Sequence, residues 1–105
     1  MNKNTEGDIS KNNQNKIRVH IVANGKVQGV YFRQNTQCVC TRYGVTGWIC
    51  NLADGSIEIV LEGDRDSVDK VIEWCKVGPP NARVEKFDLK FDSYTGEFQD
   101  FKINY

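Results

Sequence analysis

A chain of 105 residues is long enough for one compact domain around a single core and too short for a second catalytic unit. Its 14 lysines and arginines are matched by 14 aspartates and glutamates, so the net charge is zero and the basic field of a nucleic-acid binder is missing. No apolar run nears the roughly 18 residues of a membrane span, and the polar beginning lacks the hydrophobic segment of a signal peptide, which excludes membrane insertion and points to the cytoplasm.

Residues 1–16, MNKNTEGDISKNNQNK, hold one isoleucine among polar residues. That is too little apolar surface to offset the entropy of ordering, so the segment reads as a disordered N-terminal tail. Periodic structure starts at Ile17, and residues 17–105 form the domain. In IRVHIVA, residues 17–23, Ile17, Val19, Ile21 and Ala23 take alternate places, as on a strand with one buried face. His20 falls on the polar side beside Arg18 and reads as a solvated strand residue rather than a catalytic base. GKVQGVYFR follows at 25–33, with two glycines between a strand pattern and a helix pattern. Residues 32–43 then place Phe32, Thr36, Val39, Cys40 and Tyr43 three or four apart, the stripe of an amphipathic helix ended by Gly44.

VTGWICNL, residues 45–52, is strand-like; Asp54-Gly55 carries the hairpin signal, as turn chemistry rather than an acid; and SIEIVLE, 56–62, returns with Ile57, Ile59 and Leu61 on one face. Asp64 or Asp66 suits the cap of a second helix with Val68, Val71, Ile72 and Cys75 as its buried stripe, stopped by Gly78-Pro79-Pro80. RVEKFDLKF alternates Phe87, Leu89 and Phe91 with charges, and FQDFKINY supplies one more strand. Trp48 and Trp74 read as packing residues. Cysteines at 38, 40, 50 and 75 form no CxxC pair and have no histidine at metal-ligand spacing, so no metal site is expected. Cys38 and Cys40, two apart on a helix, point about 200° from each other and do not pair. Free thiols fit a reducing compartment.

The order β-α-β-β-α-β plus a terminal strand is the split β-α-β pattern. Right-handed crossovers set its antiparallel sheet as 4-1-3-2, with two helices on one face and the last strand added. That arrangement brings the 25–30 loop, Arg33 on the first helical turn and Asn51 at the end of a strand to one edge. A loop entering a helix N-terminus offers unpaired N–H groups and the positive end of the helix dipole to an anion, and Arg33 adds a planar fork of donors. The spacing is neither Walker A nor GxGxxG. Pattern alone leaves open an ordinary strand-to-helix turn with Arg33 in a surface ion pair.

GKVQGVYFR, YGVTGWICNLADGSIEIVLEG at 43–63, Trp74 before Gly78-Pro79, and the terminal DFKINY resemble the acylphosphatase family over nearly all of residues 17–105. The resemblance implies an α+β ferredoxin-like sandwich that hydrolyses acyl phosphates with no metal or organic cofactor. It further implies that Arg33 holds the substrate phosphate together with the backbone of Gly25, Lys26, Val27, Gln28, Gly29 and Val30, and that Asn51 orients the attacking water, expected to meet the carbonyl carbon. Cys50 stands where many relatives carry a basic residue. The expected partners are an acyl phosphate and inorganic phosphate, the latter as product and competitive inhibitor; the protein is expected to act as a monomer without nucleic acid or membrane. Two other readings share this fold. A binding module of the RNA-recognition or small-ligand type would want aromatics on the open sheet face and a basic groove. A carbamoyl-phosphate domain of hydrogenase-maturation proteins belongs to long multidomain chains, whereas a single unit is expected here.

Overall fold

Alternation builds the sheet and helical periodicity covers it. The computed structural model describes residues 15–105, so residues 1–14 of the tail expected over 1–16 lie outside the described residues. The elements are β1 (Lys16–Lys26), α1 (Phe32–Tyr43), β2 (Thr46–Asn51), β3 (Ile57–Asp64), α2 (Arg65–Val77), β4 (Arg83–Asp92) and β5 (Phe101–Asn104). β1 begins one residue before the expected domain start, and the Asn15 carbonyl already accepts the Arg65 N–H at 2.7 Å.

Val19, Ile21 and Ala23 of β1, Ile49 of β2, and Ile57, Ile59 and Leu61 of β3 present one buried face. Against it pack Phe32, Thr36 and Cys40 of α1 and Val68, Val71, Ile72 and Cys75 of α2. Each fully buried Val, Ile or Leu contributes about 1.5–3 kcal/mol relative to exposure, so this layer is the main stabilising term. The predicted stripe of α1 holds at its first turns and relaxes at its end, where Tyr43 is exposed and Lys70 sits over its ring. α1 stops at Gly44, whose N–H and that of Val45 close the last carbonyls. At the start of α2 the cap position is Asp64, but its side chain makes no capping bond; the carboxylate pairs with Lys16 Nζ at 3.1 Å instead.

The sheet order is β4-β1-β3-β2-β5. The first four strands are antiparallel to their neighbours, as expected; β5 departs from the antiparallel sheet by pairing parallel to β2. The reason is topological. β4 ends at Asp92, opposite Arg18 near the start of β1, and the chain must return to the far edge, where Phe101 meets Gly47 at the start of β2. Residues 93–100 therefore cross the sheet at that end and β5 runs the way β2 runs. The crossing is held by Glu62, whose carboxylate is fully buried on the sheet face without helices. It accepts the Thr95 N–H at 2.9 Å, the Thr95 hydroxyl at 3.1 Å and the Gly96 N–H at 3.0 Å, and pairs with Arg18 at 3.2 Å.

Candidate active site

The segment between β1 and α1 answers the question of its two glycines, and the answers differ. Gly25 lies within β1, at a register shift against β4, with φ 126°. A Cβ there would stand 2.2 Å from the Arg83 carbonyl oxygen and 2.9 Å from the Glu85 nitrogen, so its bareness serves strand packing. Gly29 is an exposed turn residue with φ 76° and open space around it. Of the expected cradle, Gly25 and Lys26 belong to β1, Val27 and Val30 are buried, and Gln28 turns its side chain inward. Gln28 Nε2 donates to the carbonyls of Leu52 at 2.8 Å and Ser56 at 2.9 Å, bracing the loop against the β2–β3 turn that follows Asn51.

The entrance to α1 is built unlike a self-sufficient helix start. Tyr31, at the cap position, has φ 64° and ψ 29° and makes no side-chain capping bond; no acidic residue occupies the first turn. A non-glycine residue in this left-handed conformation costs about 1 kcal/mol or more. Among the described residues no hydrogen bond uses the N–H of Gln28, Gly29, Val30 or Tyr31, and the first helical bond is Asn35 N–H to the Tyr31 carbonyl at 3.1 Å. A cation, Arg33, stands in the first turn, where the dipole disfavours positive charge. Unpaired donors, an unfavourably placed guanidinium and a missing acid are features that a bound anion would satisfy together.

Arg33 and Asn51 do converge. They line one cavity of about 230 Å³ with Val27, Gly29, Tyr31, Phe32 and Gln34. Phe32, buried beside the cavity it lines, packs edge-on against Trp74 with ring centroids 5.7 Å apart. β5, running parallel to β2, delivers Tyr105 to the same edge, and the Arg33 guanidinium lies over its ring at 4.8 Å.

The sequence and the fold are similar to those of known proteins. A sequence profile of the acylphosphatase family matches residues 19–103. The chain belongs to the acylphosphatase family. An acylphosphatase of Pyrobaculum islandicum is 57% identical over 88 residues, covering 83% of this chain and 93% of the other. A solved acylphosphatase from Coxiella burnetii superposes with a TM-score of 0.82 at 34% identity, over 87% of this chain and 95% of that one. A HypF from T. kodakarensis superposes with a TM-score of 0.74 at 28% identity, over 85% of this chain but 12% of its own length.

On this acylphosphatase scaffold the residues set aside by the sequence reading have structural partners. His20 is half-buried rather than freely solvated, with Nε2 2.6 Å from Glu58 Oε2. Cys50 points to the open face, its thiol donating to Glu58 Oε1 at 3.9 Å; burial first and the Glu58 charge next push the thiol pKa up, with Arg33 opposing. The Asp54 carboxylate accepts the hydroxyl and N–H of Ser56, which hold it below its ordinary range, as a turn residue requires. All four cysteines are free. Tyr31, the Gln28 side chain and Tyr105 were not legible as parts of the site: a positive φ at tyrosine, an inward amide and a parallel fifth strand leave no local sequence signal.

Proposed function

We propose that this member of the acylphosphatase family hydrolyses acyl phosphates by seating the phosphoryl group on the amides at the α1 entrance and the Arg33 guanidinium, while the Asn51 carboxamide orients the attacking water. The observation that carries the reading is the start of α1: partnerless N–H groups and an arginine in a first turn without an acid, facing the same cavity as Asn51. An acyl phosphate is a mixed anhydride with a carboxylate as leaving group, so positioning and charge stabilisation carry the rate without a strong base. The attack expected at the carbonyl carbon is better placed at phosphorus, because the donors gather where phosphoryl charge accumulates. Water adds its oxygen to phosphorus, the bond to the acyl oxygen breaks, the carboxylate leaves, and a phosphoryl oxygen of the substrate takes the water's proton.

Inorganic phosphate, the product, fits the same amides and acts as a competitive inhibitor. The protein works as a monomer in a reducing cytoplasm: its cysteines are free and its exposed large apolar side chains are dispersed among the α1 entrance and end, α2, β4, the 93–100 crossing and the end of the chain. Among the described residues no helix is long and apolar enough to cross a membrane.

The test is turnover of an aromatic acyl phosphate followed by absorbance, in wild type, Arg33→Ala and Asn51→Ala, with circular dichroism to verify folding. Arg33→Ala is expected to lower kcat/KM by about 10³-fold, mostly through weaker phosphate binding, and Asn51→Ala to lower kcat by about 10²-fold. In ¹⁸O water the label should enter phosphate. Wild-type turnover at the buffer rate, or both variants fully active, would remove the assignment; label in the carboxylate would move the attack back to carbon.

A further inference from the structure

We infer that Tyr31 selects the acyl group: its ring is the platform for the part of the substrate beyond the phosphate, and the site prefers acyl phosphates whose acyl group is aromatic and uncharged. This rests on the phosphoryl group being held at the α1 entrance as proposed above.

Tyr31 is the one non-glycine residue with positive φ among the described residues. Glycine would adopt this conformation without strain, and Ser, Thr, Asp or Asn would cap the helix. Tyrosine does neither. Its side chain makes no capping bond and remains 72% exposed. Its backbone is nevertheless pinned, since the carbonyl accepts both the Asn35 N–H at 3.1 Å and Asn35 Nδ2 at 2.9 Å. A strained backbone is thus held in place while the ring it carries is left in water, at the lip of the cavity that Arg33 and Asn51 line. Neither packing nor helix stability accounts for an aromatic side chain here. Local strain of this kind concentrates where ligands are gripped.

The charge around the cavity points to the same class of substrate. Arg33 is the one charged side chain lining it, and in the function proposed above its guanidinium is taken up by the phosphoryl oxygens. No lysine or carboxylate lines the cavity to pair with an ionised acyl tail. Cys50, next to Asn51 in β2, brings no charge either: its thiol is turned to Glu58 on the other sheet face. An acyl chain leaving the phosphate therefore meets the face of a phenol and no countercharge, which favours an aromatic ring through stacking and apolar burial.

The experiment measures kcat and KM for benzoyl, acetyl and succinyl phosphate with wild type, Tyr31→Phe and Tyr31→Gly. Wild type is expected to favour benzoyl over acetyl phosphate and to handle succinyl phosphate, whose acyl group carries a carboxylate, worst. In Tyr31→Gly the benzoyl-to-acetyl ratio of kcat/KM should fall on the order of tenfold, chiefly through KM for benzoyl phosphate, while Tyr31→Phe keeps it. The melting temperature of Tyr31→Gly should equal or exceed that of wild type, because the φ strain is relieved. An unchanged ratio in an active Tyr31→Gly protein, or succinyl phosphate used as well as benzoyl phosphate, overturns the inference alone. Failure of wild type to turn over any of the three removes the hydrolase reading and this inference with it.

Discussion

The guanidinium of Arg33 lies over the ring of Tyr105, 4.8 Å from its centroid, because β5 runs parallel to β2 and ends at the edge where α1 begins. A cation over a ring uses the flat face of the guanidinium and leaves its N–H edge free for two phosphoryl oxygens. At an exposed site such a contact contributes about 0.5–1 kcal/mol, and the Tyr105 side is 91% exposed. Tyr105→Ala should therefore weaken inhibition by inorganic phosphate about threefold, with a smaller effect on kcat, and Tyr105→Phe should be silent. The measurement is the phosphate inhibition constant at fixed ionic strength. An equal constant in Tyr105→Ala would mean the ring does not orient the arginine.

The two glycines of the loop should respond differently to a methyl group. In Gly25→Ala the new Cβ collides with the β4 backbone at Arg83 and Glu85, which cannot move without opening the β1–β4 ladder, so a loss of about 2–4 kcal/mol is expected. In Gly29→Ala nothing lies within 4 Å, and only the positive φ is paid for, about 1–2 kcal/mol. Urea unfolding gives both values. Gly29→Ala should also weaken phosphate inhibition more than its stability loss suggests, since a methyl group disfavours the positive φ that aims this unpartnered N–H.

The fold was legible because its signals are local and repeated. The α1 bounds at 32 and 43, the Asp54-Gly55 turn and the core alternation of β1 and β3 each follow from period and turn chemistry, and right-handed crossovers then dictate the order of the first four strands. The meeting of Arg33 and Asn51 followed from that topology. What escaped depends on partners distant in sequence. The role of Gly25 is set by Arg83 and Glu85, the direction of β5 by where β4 ends, and the burial of Glu62 by Thr95 and Gly96. Glu62 reads as an ordinary charged strand residue until the crossing lies on top of it.

Gln28 joins the loop to the turn beside Asn51 through two hydrogen bonds to backbone carbonyls, at 2.8 and 2.9 Å. Gln28→Ala takes one donor from each of the Leu52 and Ser56 carbonyls, which keep the Gly55 and Leu52 N–H groups, and frees the loop from the hairpin. A stability loss of about 1–3 kcal/mol is expected, with a fall in kcat because Asn51 and the amides lose their common brace. Gln28→Glu should do no better, since a carboxylate cannot donate to a carbonyl. Denaturant midpoints and steady-state kinetics check both effects; wild-type kcat in Gln28→Ala would show that the hairpin holds Asn51 unaided.

Glu62 anchors residues 95 and 96 over the sheet, and with them the entry to β5. Removing its side chain strands two backbone N–H groups and one face of Arg18, which costs about 3–5 kcal/mol for a buried partner of this kind. Glu62→Ala should thus loosen β5 before the remainder of the sheet. Amide exchange at Phe101–Asn104 is the direct measurement: faster exchange there with β1 and β3 still protected is expected, and uniform protection would contradict the anchoring role.

Two buried thiols, Cys40 of α1 and Cys75 of α2, are expected to weaken the fold at alkaline pH. Burial pushes the Cys75 thiol from its ordinary 9.0 up to about 12, against a smaller lowering by the Thr36 hydroxyl; burial, then the neighbouring Cys75, raises Cys40 as well. The folded state therefore holds these protons more tightly than the unfolded chain. Their contribution is complete below pH 9, where an unfolded thiol is still protonated, and drains away as pH rises from about 9 towards about 12, because unfolding then releases protons. The slope per thiol approaches about 1.4 kcal/mol per pH unit inside that window. Cys75→Ala removes one such group at the cost of a small cavity. Its stability should be lower than wild type at pH 7.5 and converge with it by pH 10.5, as read from urea midpoints at a series of pH values. Parallel curves for the two proteins would show that the thiols do not govern the alkaline side.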